Sequence, residues 1–214
     1  NSIGGYHAAK MGRYQELFDY QIAKNNMEVL NMLNTKYFII PDQQGSLRVQ
    51  QNSDANGNAW FVNELKLVST ADQEIKTLDS LKTKKSVVIN SLDGYGFSSD
   101  VALTYVQDSL ATIKLTNYDV TTLTYQSSTT TEQFAVFSEI YYKDGWNAYI
   151  DGKLTEHYRV NYVLRGMSIP AGKHTIEFKF EPTIIKKGNT ITLTSYFLLL
   201  IIPIGWFFYE KKKK

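Results

Sequence analysis

The 214-residue sequence contains no cysteine, which excludes disulfides, thiolate nucleophiles and cysteine-based zinc sites. It also has little excess charge, with 23 Lys and Arg against 21 Asp and Glu, and the last four basic residues are the consecutive lysines 211–214. No basic face is implied, so we expect no nucleic-acid partner. The metalloprotease, serine-hydrolase and P-loop patterns are missing as well. The sequence therefore predicts no catalytic residue, no metal and no cofactor.

One long apolar run closes the sequence, SYFLLLIIPIGWFFYEKKKK. Residues 191–209 carry no charge, and as a helix they measure about 28 Å, close to the hydrocarbon thickness of a bilayer. We predict a transmembrane helix over 191–209 and a basic cytoplasmic tail over 210–214, with the residues before about 190 extracytoplasmic. A buried core helix or strand is the alternative. The predicted membrane anchors are Tyr196, Phe197, Leu198, Trp206, Phe207, Tyr209, Lys211 and Lys212.

The first 97 residues are predicted to form an α/β region. Apolar spacing predicts helices near 11–34, and TKYFIIP predicts a strand over 37–40. The next residues are polar and rich in turn formers, with an edge strand around 47–49. A βαβ-like unit follows, with a strand over 60–68, a helix over 71–82 and a strand over 86–90. Thr70 and Gln73 resemble a capping box at the start of that helix.

From about residue 98 apolar residues alternate with polar ones, as in Ile176 and Phe178. Asp-Gly pairs at 144–145 and 151–152 mark turns between short strands. This pattern predicts an antiparallel, jelly-roll-like β-sandwich over 98–184, whose sheets pack one face and expose the other. The alternation runs through 157–164 as one strand and directs Arg165 outward. The predicted fold class is thus α+β, mostly β, with one C-terminal transmembrane helix.

Two groups of residues are candidate ligand contacts. The opening segment SIGGYHAAKMGRYQEL combines glycines, which permit close backbone approach, with cations suited to a phosphate or carboxylate. A loop-to-helix junction with solvated cations is the alternative. The segment KDGWNAYIDGK offers two aromatic rings as a stacking platform for a sugar, and packing between sheets is the alternative. The candidate residues are Gly5, Tyr6, His7, Lys10 and Arg13 in the first group, and Trp146 and Tyr149 in the second.

These segments, together with NMEVLNMLNTKYFI, AWFV and NYVLRGMSIPAGKHTIEFKFEP, resemble the C-terminal part of the YfhO family of bacterial multi-spanning membrane proteins. The closing helix with its lysine tail is similar to the family's last span. The resemblance implies an extracytoplasmic accessory domain of a lipid-linked-sugar glycosyltransferase in the bacterial cytoplasmic membrane, acting on the cell envelope. It also implies that the catalytic acid lies in N-terminal spans missing from this chain, so that this chain alone catalyses nothing.

The partners implied are the lipid bilayer, the missing spans of the same protein, and a lipid-linked sugar or an envelope glycan. The opening-segment candidates would then face the membrane part or a lipid-pyrophosphate donor. Two other functions stay open. The chain is alternatively a membrane-tethered carbohydrate-binding sandwich, or a purely structural domain of a multi-spanning membrane protein.

Overall fold

The structure is a computed structural model and describes residues 3, 11–92, 97 and 100–213. The helices are α1 (Gly12–Leu17), α2 (Met27–Met32), α3 (Ala71–Thr77) and α4 (Thr183–Lys213), with a π-helical turn at Phe18–Ile22 after α1. The strands are β1 (Tyr37–Pro41), β2 (Leu47–Gln51), β3 (Ala59–Val62), β4 (Glu64–Val68), β5 (Ser86–Asn90), β6 (Thr112–Tyr118), β7 (Thr122–Thr129), β8 (Gln133–Ile140), β9 (Trp146–Ile150), β10 (Lys153–Thr155), β11 (Tyr158–Val160), β12 (Leu164–Ile169) and β13 (Gly172–Phe180).

Two antiparallel sheets form the sandwich. The five-stranded sheet has the order β10-β9-β13-β7-β6, and the four-stranded sheet has the order β11-β12-β8-β3. Their facing sides share a core in which Tyr125, Phe137 and Phe178 are fully buried. Neighbouring rings in this core meet edge to face, with centroids 4.9 Å apart for Phe137 and Phe178. The prediction of a mostly β fold with antiparallel sheets is confirmed.

The four-stranded sheet is covered on both faces, which the sequence did not predict. Along β8, Ala135 and Phe137 contact the sandwich core, whereas Phe134 and Val136 contact a second core on the opposite side. Because successive strand residues point to opposite faces, this strand is apolar without alternation. Of the two sheets in the sandwich, the five-stranded one has a buried side and a solvent-facing side, with Lys114 of β6 exposed.

The second core is closed by a layer of helices and by the pair β4–β5. These two strands are parallel and are connected by α3, which confirms the βαβ-like unit. The Thr70 hydroxyl accepts the Gln73 N–H at 3.2 Å, and the Gln73 side chain accepts the Ser69 N–H at 3.0 Å. The helix ends at Thr77 rather than near 82, because Ser80 N–H bonds back three residues, to Thr77 O, and tightens the chain.

The stretch predicted as one strand over 60–68 forms two strands in different sheets. At Asn63 the backbone N–H donates to Lys85 O at 2.8 Å, so the chain leaves the partner of β3 there. Strand β3 pairs with β8, and β4 pairs with β5. Residues from before and after position 97, such as Val88 and Phe134, share the second core. The predicted division at residue 97 therefore does not separate two hydrophobic cores.

The stretch 157–164 is a hairpin rather than one strand. Asn161 and Tyr162 adopt left-handed backbone angles, with φ of 47° and 73°, and reverse the chain between β11 and β12. The Asn161 side-chain oxygen supports this turn by accepting the Val88 N–H at 3.0 Å, and the Asn161 backbone N–H donates to Val88 O at 2.9 Å. These bonds to β5 fix a backbone conformation that is unfavourable for a bulky residue such as tyrosine.

The pair β1–β2 stands as a separate two-stranded ribbon whose strand residues are exposed, apart from the half-buried Phe38. It confirms the predicted strand over 37–40 and its edge neighbour around 47–49.

Candidate functional site

Helix α4 follows β13 directly, with only Glu181 and Pro182 between them. Its 31 residues exceed the predicted span of 191–209 because backbone helicity continues into the polar residues on both sides of the apolar run. At about 1.5 Å per residue the helix measures about 46 Å, similar to a bilayer with both headgroup layers, about 40–45 Å. Its most apolar window has a mean hydropathy of 2.0, and none of that window is buried. Among the described residues, one helix is thus long and apolar enough to cross a membrane.

The predicted anchor residues all lie on α4, namely Tyr196, Phe197, Leu198, Trp206, Phe207, Tyr209, Lys211 and Lys212. Near the lysine end, the Trp206 and Tyr209 rings lie 6.4 Å apart, and Lys213 Nζ lies 4.8 Å from the centre of the Tyr209 ring. The side chain of Phe207 is outside the described part of the chain. Aromatic rings followed by cations are typical of a helix end at a membrane–water interface.

Glu181 fixes the start of α4 to the outer face of the five-stranded sheet. Its Oε2 accepts hydrogen bonds from Tyr149 Oη at 2.6 Å and from Asn147 Nδ2 at 2.9 Å. Its backbone N–H donates to Gly145 O at 2.6 Å. The carboxylate raises the pKa of Tyr149, because it accepts a hydrogen bond from the protonated phenol and disfavours a second negative charge beside it. Helix α4 is therefore joined to the sandwich by a hydrogen-bonded segment rather than by a flexible linker.

Trp146 and Tyr149 lie on opposite faces of the five-stranded sheet, because they are three residues apart on β9. Trp146 packs between the sheets, with its ring 5.4 Å from the Phe180 ring. Tyr149 is on the outer face, where Lys179 Nζ lies 5.1 Å from its ring centre. The structure does not bring the two rings together as one stacking platform. Trp146 packs between the two sheets, which was the alternative to a sugar-stacking role.

Arg165 is 2% exposed, whereas the strand pattern directed it outward. The alternation is kept, because Leu164 contacts the second core and Arg165 points to the opposite face. That face is covered by the five-stranded sheet, so the guanidinium lies inside the sandwich. Arg165 Nε and Nη2 both donate to Ile140 O at 3.1 Å, and the guanidinium lies 4.3 Å from the Trp146 ring. Burial lowers the pKa of Arg165 to about 10, although the nearby Glu139 favours the charged form. This buried cation was not detectable from spacing.

The two histidines outside the opening segment have different environments. Burial, assisted by the charge of Arg165, lowers the pKa of His157 to about 4. Its ring packs 5.5 Å from the Phe178 ring. His174 Nδ1 lies 2.6 Å from Asp151 Oδ2, and this bond raises the pKa of His174. Within the described residues, no three His, Asp or Glu side chains come together as metal ligands.

Arg13 faces a carboxylate of the protein itself. Its Nη1 lies 2.8 Å from Glu74 Oε2, and its guanidinium lies 4.5 Å from the centre of the Tyr162 ring. The Glu74 side chain is 0% exposed and also accepts the Tyr162 N–H at 3.0 Å. Tyr162 Oη in turn donates to Glu16. The other opening-segment candidates, Gly5, Tyr6, His7 and Lys10, lie outside the described residues.

A polar groove of about 460 Å³ runs along the outer face of the five-stranded sheet. Its lining includes the hydroxyls and ammonium groups of Thr112, Thr116, Ser128, Thr175, Lys114 and Lys173. Such groups donate and accept hydrogen bonds and suit a polyhydroxylated ligand. These residues are the polar members of the alternating strands. The sequence pattern marks them as solvent-facing but does not show that they line one groove.

The family model described as "Bacterial membrane protein YfhO" matches residues 48–192, more than half of the chain. The chain belongs to the YfhO family. In this YfhO protein the match begins in β2, covers the whole sandwich and ends within α4. The opening segment with Arg13 precedes it. The family match and the apolar helix α4 together show that this is a membrane protein. No curated protein and no solved structure gives a significant match to the chain.

Proposed function

We propose that this chain is the extracytoplasmic accessory part of a membrane-embedded glycosyltransferase of the bacterial cell envelope, which uses a lipid-linked sugar donor. The catalytic acid then belongs to other membrane spans of the same protein. The sandwich engages the acceptor or supports the catalytic loops. Residues before about 190 lie outside the cytoplasm, and the lysine tail with Lys211 and Lys212 lies inside, as the positive-inside rule favours.

The observation that carries this proposal is the short joint between β13 and α4. Glu181 is held by hydrogen bonds from Tyr149 and Asn147, and the helix begins two residues later. A domain attached in this way samples a small volume above the membrane, which raises the effective concentration of its ligands at the surface. A domain that must position an acceptor over membrane-embedded chemistry benefits from such restricted geometry.

The opening segment is the proposed contact with the remaining spans or with the pyrophosphate of the donor. Gly5, Tyr6, His7 and Lys10 are its proposed contact residues. Arg13 holds α1, which follows these residues, against α3 and the β11–β12 hairpin, because it pairs with Glu74 at 2.8 Å and lies on the Tyr162 ring. A ligand role for Arg13 requires sharing its guanidinium, whose side chain is 24% exposed.

The test compares transfer of labelled lipid-linked sugar in membranes that contain the full-length protein or an insertion variant. A flexible Gly/Ser linker of about ten residues between Pro182 and Thr183 keeps the sandwich and the spans but removes their fixed geometry. The same linker after Gln44, in the exposed turn between β1 and β2, is the matched control. Transfer is expected to fall only in the joint variant. Unchanged transfer in that variant, and after deletion of residues 1–182, would reject an accessory role.

A second candidate, a membrane-tethered carbohydrate-binding sandwich, is favoured by the polar groove on the outer face of the five-stranded sheet. Titration of the chain with envelope glycans tests it directly. Lys114→Ala and Thr175→Ala should weaken binding, whereas a change at exposed Leu154, outside the groove, should not. Binding that survives both groove substitutions removes this candidate. Absence of both binding and a transfer defect leaves the third function, a purely structural domain.

A further inference from the structure

We infer that two loops of the sandwich rest in the headgroup layer of the bilayer that α4 spans. The first loop is formed by residues 119–121, between β6 and β7, and the second by residues 141–145, between β8 and β9. Together they form a membrane-contacting surface at one end of the sandwich.

Both loops lie beside the start of α4. Phe180 N–H donates to Thr121 O at 2.8 Å, and Glu181 N–H donates to Gly145 O at 2.6 Å. Phe180 ends β13, and the helix begins three residues later, at Thr183. The end of the sandwich that carries the two loops is therefore the end from which the membrane helix departs.

The loops present exposed aromatic and aliphatic side chains at this end. Val120 is 86% exposed, Tyr118 at its base is 60% exposed, and Tyr142 in the second loop is 42% exposed. Tyrosine is enriched at membrane–water interfaces, where the ring contacts the acyl boundary and the hydroxyl stays hydrated. Contact with the headgroup layer would remove the apolar surface of all three side chains from water.

The length of α4 brings the loops to the right height. A helix of about 46 Å matches the full bilayer, headgroups included, rather than its hydrocarbon alone, so Thr183 lies at the outer edge of the headgroup layer. Ile184 and Ile185, in the first turn, are 77% and 54% exposed, which fits immersion of this turn. Loops bonded to residues 180 and 181 then reach the same layer.

Charge is not the basis of this contact. The loops contain Asp119, Lys143 and Asp144, and thus no excess of cations that would attract anionic lipid. Binding is expected to depend on the rings and on Val120, and to be similar on zwitterionic and anionic membranes. The contact requires the membrane span but not glycosyl transfer, so a failed transfer assay leaves it unaffected.

The absence of cysteine makes single-site labelling of the full chain direct. Val120→Cys and Tyr142→Cys report on the two loops, and Leu110→Cys is the matched control. Leu110 is 74% exposed and precedes the opposite end of β6, about 23 Å of strand away. Each variant carries an environment-sensitive fluorophore and is reconstituted in phosphatidylcholine vesicles, with and without brominated lipid. Far-UV circular dichroism checks that the labelled chains fold alike.

The expected result is a blue shift and bromine quenching at positions 120 and 142, with neither at 110. Added phosphatidylglycerol should leave both signals unchanged. Unquenched probes in both loops would show that the sandwich stands clear of the bilayer and would overturn the inference. Equal quenching at all three sites would overturn it too, because the domain would then lie on its side. A strong dependence on anionic lipid would show that attraction to charge, rather than the apolar surface, makes the contact.

Discussion

Replacement of Arg13 by alanine is expected to destabilise the fold, because it leaves a buried carboxylate without its ion-pair partner. Glu74 is 0% exposed, and one of its oxygens accepts from Arg13 Nη1 at 2.8 Å. The other oxygen keeps the Tyr162 N–H at 3.0 Å. Arg159 remains as a more distant positive charge. One hydrogen bond and one direct countercharge are therefore lost together.

The magnitude follows from the burial of the pair. Removal of one partner from a buried ion pair costs about 3–5 kcal/mol. The Arg13 side chain is 24% exposed, so water screens part of the interaction. We therefore expect a loss of about 3 kcal/mol, at the low end of that range. Against a total stability of about 5–15 kcal/mol for a domain, this loss is readily measured.

The loss should also depend on pH. Burial raises the pKa of Glu74 above its ordinary value even though Arg13 opposes this shift. A carboxyl with a higher pKa in the folded state binds its proton more tightly there, so its contribution to stability improves as the pH falls through the folded pKa. Without Arg13 the folded pKa rises further. The deficit of the variant should thus shrink as the pH falls from neutrality towards the ordinary pKa of a glutamate.

The assay is urea unfolding of the full chain in detergent, followed by tryptophan fluorescence at several pH values. The matched variant combines Arg13→Met with Glu74→Gln, which removes both charges, keeps volume and keeps an acceptor for the Tyr162 N–H, and it should recover most of the lost stability. A deficit that is the same at every pH, or a double variant no more stable than Arg13→Ala, would refute the assignment of this energy to the buried pair.

Three further predictions use the same unfolding measurement. Arg165→Ala should lower the free energy of unfolding by about 3–5 kcal/mol, and Arg165→Met by clearly less, since methionine fills the space without a charge. Equal losses in the two variants would contradict this prediction. Gly166→Ala should lower the free energy of unfolding by about 1–3 kcal/mol, because the added Cβ would lie 2.7 Å from Phe134 Cε1. Gly12→Ala, which has open space at its Cβ, is the control. A Gly166→Ala variant as stable as the original protein would disprove the overlap. His157 should reduce stability as the pH falls from about 6.5 to about 4, because its imidazole takes up a proton at higher pH in the unfolded state than in the folded state. His157→Phe should remove this dependence of stability on pH. An unchanged dependence in that variant would exclude His157 as its source.

Local signals in the sequence predicted the elements whose causes are local. The Thr70 cap and its Gln73 partner mark the start of α3 because the bonds that they form span only a few residues. The Asp151-Gly152 pair predicted its turn, and both residues have positive φ, 50° and 77°. The apolar run likewise identified α4, because a bilayer requires a continuous stretch of apolar residues.

The errors arise where distant segments decide the outcome. The hairpin at Asn161 depends on its bonds to Val88, 73 residues away in sequence. Burial of Arg165 depends on the coverage of both faces of its sheet and on the carbonyl of Ile140. Neither partner can be read from alternation along one strand. For the candidate site, the same limit applies to Glu181, whose role as the joint becomes visible only when β9 lies beside it.

The double coverage of the four-stranded sheet has a consequence for the fidelity of folding. In a sheet with one wet face, a slip by one residue moves apolar side chains into water, and this cost rejects the wrong pairing. In β8 a slip would only exchange Phe134 and Val136 with Ala135 and Phe137 between two dry compartments. The free energy of transfer from water does not distinguish these two registers, so the packing of the side chains must do so. Because Gly166 lacks a side chain, it leaves the space that the Phe134 ring occupies, so the fit of side-chain volumes determines the register of this strand.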